Sequence, residues 1–153
     1  MQRPLIILAA GIAAIAVAAP AGAGNNVSVT IRHQTAGCHA WAIGLGTYAA
    51  FHSLKVAPGT ALTFTNNDVM PQTLKQLAGP VVTMRNIASS MPMGMGLHGP
   101  FAAGTMARMG AGTRIVLTKP GTYRFTTRAG EDYMQGMKTT GEENDIKLVV
   151  VVK

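Results

Sequence analysis

The side chains with the most to offer chemically are few and closely placed. Cys38 is the only cysteine, and it stands beside His39 in the run Gly37-Cys38-His39-Ala40-Trp41. A thiolate sulfur next to an imidazole nitrogen favours copper or zinc over magnesium or calcium. Neighbours in a strand point to opposite faces, so both reach one ion only where the chain turns, and Gly37 predicts such a turn. A lone cysteine has no partner for a disulfide within its own chain. It is then a bridge to another chain, a reactive thiol, a metal ligand, or a small buried apolar side chain.

Methionine supplies the second chemical signal. Six methionines fall between Met84 and Met109, and Met91-Pro92-Met93-Gly94-Met95 spaces three thioethers by two. Soft thioethers select Cu(I), and several of them on one loop collect it without a rigid cage. His98 lies in the same segment. From Ile87 to Gly112 the chain is rich in Gly, Ala and Met and shows neither a strand nor a helix period. Loops of that length inside a compact domain are usually functional or disordered. Other candidates are weaker: Met84 reads as core filler in an extended run, Trp41 as core, and His33 and His52 as residues at strand ends. Glu131-Asp132 and Glu142-Glu143 read as solvated charges. No nucleophile motif and no phosphate loop is present, so an enzyme is not expected.

These residues need a frame. The chain has 153 residues, 12% of them charged, with 18 Gly and 8 Pro, which speaks for turns and short strands in a single domain and against a helical bundle. The formal charge of +7 is dispersed singly along the chain. Nucleic-acid binding wants a cluster, so no nucleic-acid partner is expected. Residues 1–23 read as a signal peptide: Arg3, an apolar stretch from Leu5 to Ala19, then Ala21-Gly22-Ala23 as a small-x-small cleavage site. Export to a periplasmic or extracellular compartment follows, and a mature chain from residue 24 to 153 with no transmembrane segment.

Within residues 24–153 the periodicity predicts an all-β sandwich of about seven strands. The expected strands are Val27 to Arg32, Ser53 to Val56, Ala61 to Thr65, Thr73 to Leu77, Thr113 to Thr118, Thr122 to Thr127 and Ile146 to Val152, with a short extended run at Val81 to Met84. Ala57-Pro58-Gly59-Thr60 and Asn66-Asn67-Asp68 read as turns. Lys119-Pro120-Gly121 reads as the turn of a hairpin between its two flanking strands.

The stretch from Leu54 to Leu77, a Pro-Gly turn, a strand and an Asn-rich corner, resembles the cupredoxin pattern. So does Pro120 to Val151, which is similar to that family's last hairpin and ligand loop. The resemblance implies a Greek-key β-sandwich of the cupredoxin type, and a type 1 copper held by a His from the first stretch and a Cys, a His and a Met from the second. Here the first His position is Gln72, the Cys position is Thr127, the second His position falls near Glu131, and Met137 alone remains. Blue-copper chemistry needs a thiolate, which Thr127 cannot supply. In cupredoxin topology the connection after the first strand runs along the ligand end. Cys38 and His39 would then bring sulfur and imidazole to a site near Gln72, Glu131 and Met137, with His98, Met91, Met93 and Met95 as further copper contacts. The expectation is an exported protein that binds Cu(I) or Cu(II) for copper handling or electron transfer, with a redox or copper-delivery protein as partner. The alternative is a metal-free module that keeps the sandwich for binding or structure.

Overall fold

The computed structural model describes residues 25–33, 39–68, 70–89, 101–107, 109–129 and 146–153. Among these residues ten strands follow in chain order: β1 Asn26–His33, β2 His39–Ile43, β3 Phe51–Val56, β4 Thr60–Asn66, β5 Gln72–Ala78, β6 Arg85–Ile87, β7 Thr105–Met106, β8 Gly112–Leu117, β9 Gly121–Ala129 and β10 Ile146–Val152. They form two five-stranded sheets, one in the order β2-β1-β4-β8-β6 and the other β3-β10-β9-β5-β7. Both are mixed, because β1 runs parallel to β4 and β3 parallel to β10 while the remaining pairs are antiparallel. The described residues therefore form an all-β sandwich, consistent with the cupredoxin-like architecture expected. Among the described residues no helix is long and apolar enough to cross a membrane.

Alternation along each strand builds the core. Val29 and Ile31, Leu62 and Phe64, and Ile115 and Leu117 face inward from the first sheet. Leu74, Tyr123, Phe125, Leu148 and Val150 face them from the second. Trp41, Phe64 and Phe125 step across the interface with ring centroids 6.3 and 6.0 Å apart. Pairs at that spacing add to the area term that dominates sandwich stability. The turn before β4 needs Gly59, whose φ of 85° is left-handed backbone. Gly104 is needed for a close approach: its carbonyl accepts the Leu74 amide at 2.8 Å, and a Cβ there would meet the Leu74 carbonyl oxygen at 2.7 Å.

Four expectations are corrected. The strands flanking residues 119–121 do not make a hairpin: β8 pairs with β4 in one sheet and β9 pairs with β10 and β5 in the other. Both strands carry an apolar face, and crossing between layers lets each cover the same core. Tyr123 fixes the crossing by donating its hydroxyl to the Lys119 carbonyl at 2.7 Å. The extended run at Val81 to Met84 is not a strand; pairing falls on Arg85–Ile87 instead. The connection after β1 contains a strand, since His39–Ile43 pairs antiparallel with β1 and is buried almost throughout. Its composition, His-Ala-Trp-Ala-Ile, lacks the alternation that marks the other strands. The apparently patternless segment from Ile87 to Gly112 likewise supplies β7, where Met106 is fully buried.

Candidate functional site

Parallel pairing of β1 and β4 brings the end of β1, the start of β2 and the end of β4 to one end of the sandwich. β5 begins there too. The corner between β4 and β5 is built by side chains. Asn66 Nδ2 donates to the carbonyls of Met70 at 2.8 Å and Met106 at 3.0 Å, while its Oδ1 accepts the Asp68 amide at 2.8 Å. Asp68 Oδ1 accepts the Met70 amide at 3.1 Å. Asn and Asp close turns on themselves in this way, and here both are buried.

The other carboxylate oxygen of Asp68 accepts from His39 Nδ1 at 2.6 Å, and both side chains are fully buried. A carboxylate can only accept, so Nδ1 carries the proton and Nε2 is the lone-pair nitrogen of the ring. This pairing of a carboxylate with one imidazole nitrogen is how metal-ligating histidines are commonly oriented. Gln72 Nε2 lies 3.5 Å from His39 Nδ1. With the Nδ1 proton committed to Asp68, that approach is a contact and not a hydrogen bond. Gln72 is wholly buried and its Oε1 has no hydrogen-bond partner among the described residues; the same holds for Thr127 Oγ1. Gln72 and Leu74 pair with Ala129 and Thr127 respectively, so Thr127 is the diagonal neighbour of Gln72 on the adjoining strand. Long side chains reach across that diagonal, roughly 7–8 Å.

The fit to copper divides at this point. Gln72 at the head of β5 and Thr127 on the inward face of β9 hold the positions where the resemblance implies an imidazole and a thiolate. Their atoms do not make a type 1 set. The displaced set fits better: an imidazole held by a carboxylate, beside a carboxamide oxygen with no partner among the described residues. His39 and Gln72 come from different sheets, and the structure brings them together. His39, however, opens a strand instead of sitting within a turn, with His33 as its register partner. Cys38, Glu131, Met137, His98, Met91, Met93 and Met95 lie outside the described residues. Among the described residues no group of three or more His, Cys, Asp or Glu is placed to hold a metal.

Other candidates find ordinary roles. His52 donates from Nε2 to the Trp41 carbonyl at 2.8 Å and so joins β3 to β2. Met84 is half-buried and packs against the core. Asp68 is the residue that sequence reasoning treated as turn chemistry alone. Its signal was present in the Asn-Asn-Asp corner, but nothing local indicates a partner 29 positions away.

No family model matches this sequence, and no curated protein matches it. Solved structures do. An inclusion body protein, PixA, from Burkholderia cenocepacia J2315 is similar over 89% of this chain and 100% of its own, at 8% identity and a TM-score of 0.43. A purple cupredoxin from Nitrosopumilus maritimus matches over 82% of this chain and 98% of its own, at 15% identity and 0.36. A mutant amicyanin with Cu(I) matches over 82% of each chain, at 14% identity and 0.35. The fold assignment rests on the strand order and register described above.

Proposed function

We propose that this chain is an exported copper-binding protein with a cupredoxin-like fold, whose site has moved from the closing strand pair to the His39–Asp68–Gln72 end. One observation carries the reading: His39 is held by Asp68 at 2.6 Å, out of water, beside a buried carboxamide oxygen without a partner among the described residues. A buried carboxylate–imidazole pair is a poor device for stability, because desolvation offsets most of the attraction. A buried carbonyl oxygen left unpaired costs more. Such groups gathered at one end of an apolar core support a ligand site.

In this reading His39 Nε2 and Gln72 Oε1 hold the metal, and Asp68 fixes the imidazole ring and its tautomer. Cys38 adds a thiolate, and Met91, Met93, Met95, His98, Glu131 and Met137 are further donors. Copper bound there supplies one-electron chemistry or is simply carried. Thioether-rich ligation favours Cu(I) and therefore copper handling over electron transfer. The second reading, a metal-free module, is favoured by Gln72 and Thr127 standing at the two family ligand positions.

Separate titrations of the reduced protein with Cu(I), Cu(II) and Zn(II) test this, read by stoichiometry and visible spectrum. Handling predicts colourless uptake of Cu(I) that falls in His39→Ala and when Met91, Met93 and Met95 are changed to Leu. An intense thiolate-to-copper band lost in Cys38→Ser would move the function to electron transfer. No uptake of any of the three ions leaves the metal-free module.

A further inference from the structure

Away from this end, the far edge of the first sheet carries a second feature. Arg85 on β6 and Arg114 on β8 are direct partners across the strand pair, and both are exposed. Like charges placed opposite one another on neighbouring strands are destabilising. Among the described residues neither guanidinium has an ion pair. The two arginines line a surface recess of about 390 Å³ together with Thr83, Thr118, Val81 and Val116. Among the described residues no acidic side chain lines it.

The walls of the recess are held in place by two carboxamides. Gln76 Nε2 donates to the Pro80 carbonyl at 2.7 Å and its Oε1 accepts the Val82 amide at 3.2 Å, which pins the segment leading into β6. Asn86, next to Arg85, donates to the Ala102 carbonyl at 2.9 Å and accepts the Gly104 amide at 2.9 Å. The backbone that carries Arg85 is therefore fixed from both sides before any ligand arrives. Val81 is 95% exposed and Val116 43%, so apolar surface lies open beside the charges.

We propose that the Arg85–Arg114 recess binds a small oxyanion, a phosphate or a carboxylate. Guanidinium forks match two-oxygen anions with paired, charge-assisted hydrogen bonds, and an anion between them removes the repulsion across the strand pair. The threonine hydroxyls complete its shell. The exposed valines would accept an aliphatic chain if the oxyanion belongs to an organic acid. This site is separate from the proposed copper end, and its test does not depend on metal binding.

The test is a titration of the ¹⁵N-labelled full chain at constant ionic strength, with inorganic phosphate in one arm and hexanoate in the other. Saturable shifts confined to the amides of residues 82–85 and 114–116 are expected. Arg85→Gln or Arg114→Gln should weaken binding by about tenfold, the effect of losing one charge-assisted contact. Lys55→Gln, remote from the recess, should leave it unchanged. Tighter phosphate binding assigns a free anion, and tighter hexanoate binding an organic acid seated on Val81 and Val116. Shifts that never saturate and spread over all basic residues, or an affinity indifferent to both arginine changes, would overturn the proposal.

Discussion

The two ends of the sandwich solve the same problem, reversing the chain, by opposite means. At the end where β4 and β9 begin, Pro-Gly turns and a few single contacts suffice. Thr60 Oγ1 donates to the Ala57 carbonyl at 2.7 Å, and Tyr123 donates to the Lys119 carbonyl at 2.7 Å. Each buried hydroxyl there finds a backbone oxygen. At the other end, Asn66, Asp68 and His39 form a knot of buried side chains, and Gln72 Oε1 and Thr127 Oγ1 have no hydrogen-bond partner beside it among the described residues. A protein selected only for stability has no use for the second arrangement, since apolar residues of similar shape would cost less. The contrast supports the proposed ligand site at the end where polarity is buried at a loss.

Substitutions at the two ends can break or sharpen this contrast. The largest effect is expected from Asp68→Ala, which unties the corner and strands His39; equilibrium urea unfolding should show a loss of about 3–5 kcal/mol. The milder Asp68→Asn should keep the fold and lower metal affinity roughly 10–100-fold, as lost orientation of a ligating imidazole does. Gln72→Leu should move the other way, raising stability by about 1–3 kcal/mol because it removes an unpaired buried carboxamide, while weakening metal uptake. A destabilised Gln72→Leu would mean that the carboxamide has a structural partner, and the contrast would fail. Thr127→Val should be stabilising by about 1 kcal/mol for the same reason. Tyr123→Phe, at the satisfied end, should cost about 1 kcal/mol. Opposite signs for these last two hydroxyl deletions, measured side by side, are the sharpest form of the comparison.

Much of the frame was legible from alternation alone. Ile146 to Val152 was read with the bounds the structure shows, and β1, β3, β4, β5, β8 and β9 with ends displaced by a residue or two. The strands that escaped notice lack a repeating pattern: β2 is buried at nearly every position, and β6 and β7 have only three and two residues. Pairing was harder than existence. The link at residues 119–121 has the composition of a hairpin turn, yet composition says only that the chain bends there, and the strand partners decide whether it bends within a sheet or between sheets. At the candidate site, His39 was singled out by its place beside Cys38, and Gln72 because it stands where the cupredoxin resemblance implies an imidazole. Asp68 was read as a turn residue, which it is, with a second duty toward His39.

Residue type and spacing determined, without any coordinates, that the chain would form short strands around one apolar core and that its soft donors are a single cysteine and a run of methionines. These are local properties, written in periods of two and in the chemistry of individual side chains. Only the tertiary structure decided that His39 lies out of water against Asp68, that Gln72 from the opposite sheet stands next to them, and that Arg85 faces Arg114. Those meetings depend on strand order and register. Both come from the packing of all ten strands at once, and no window of sequence contains them.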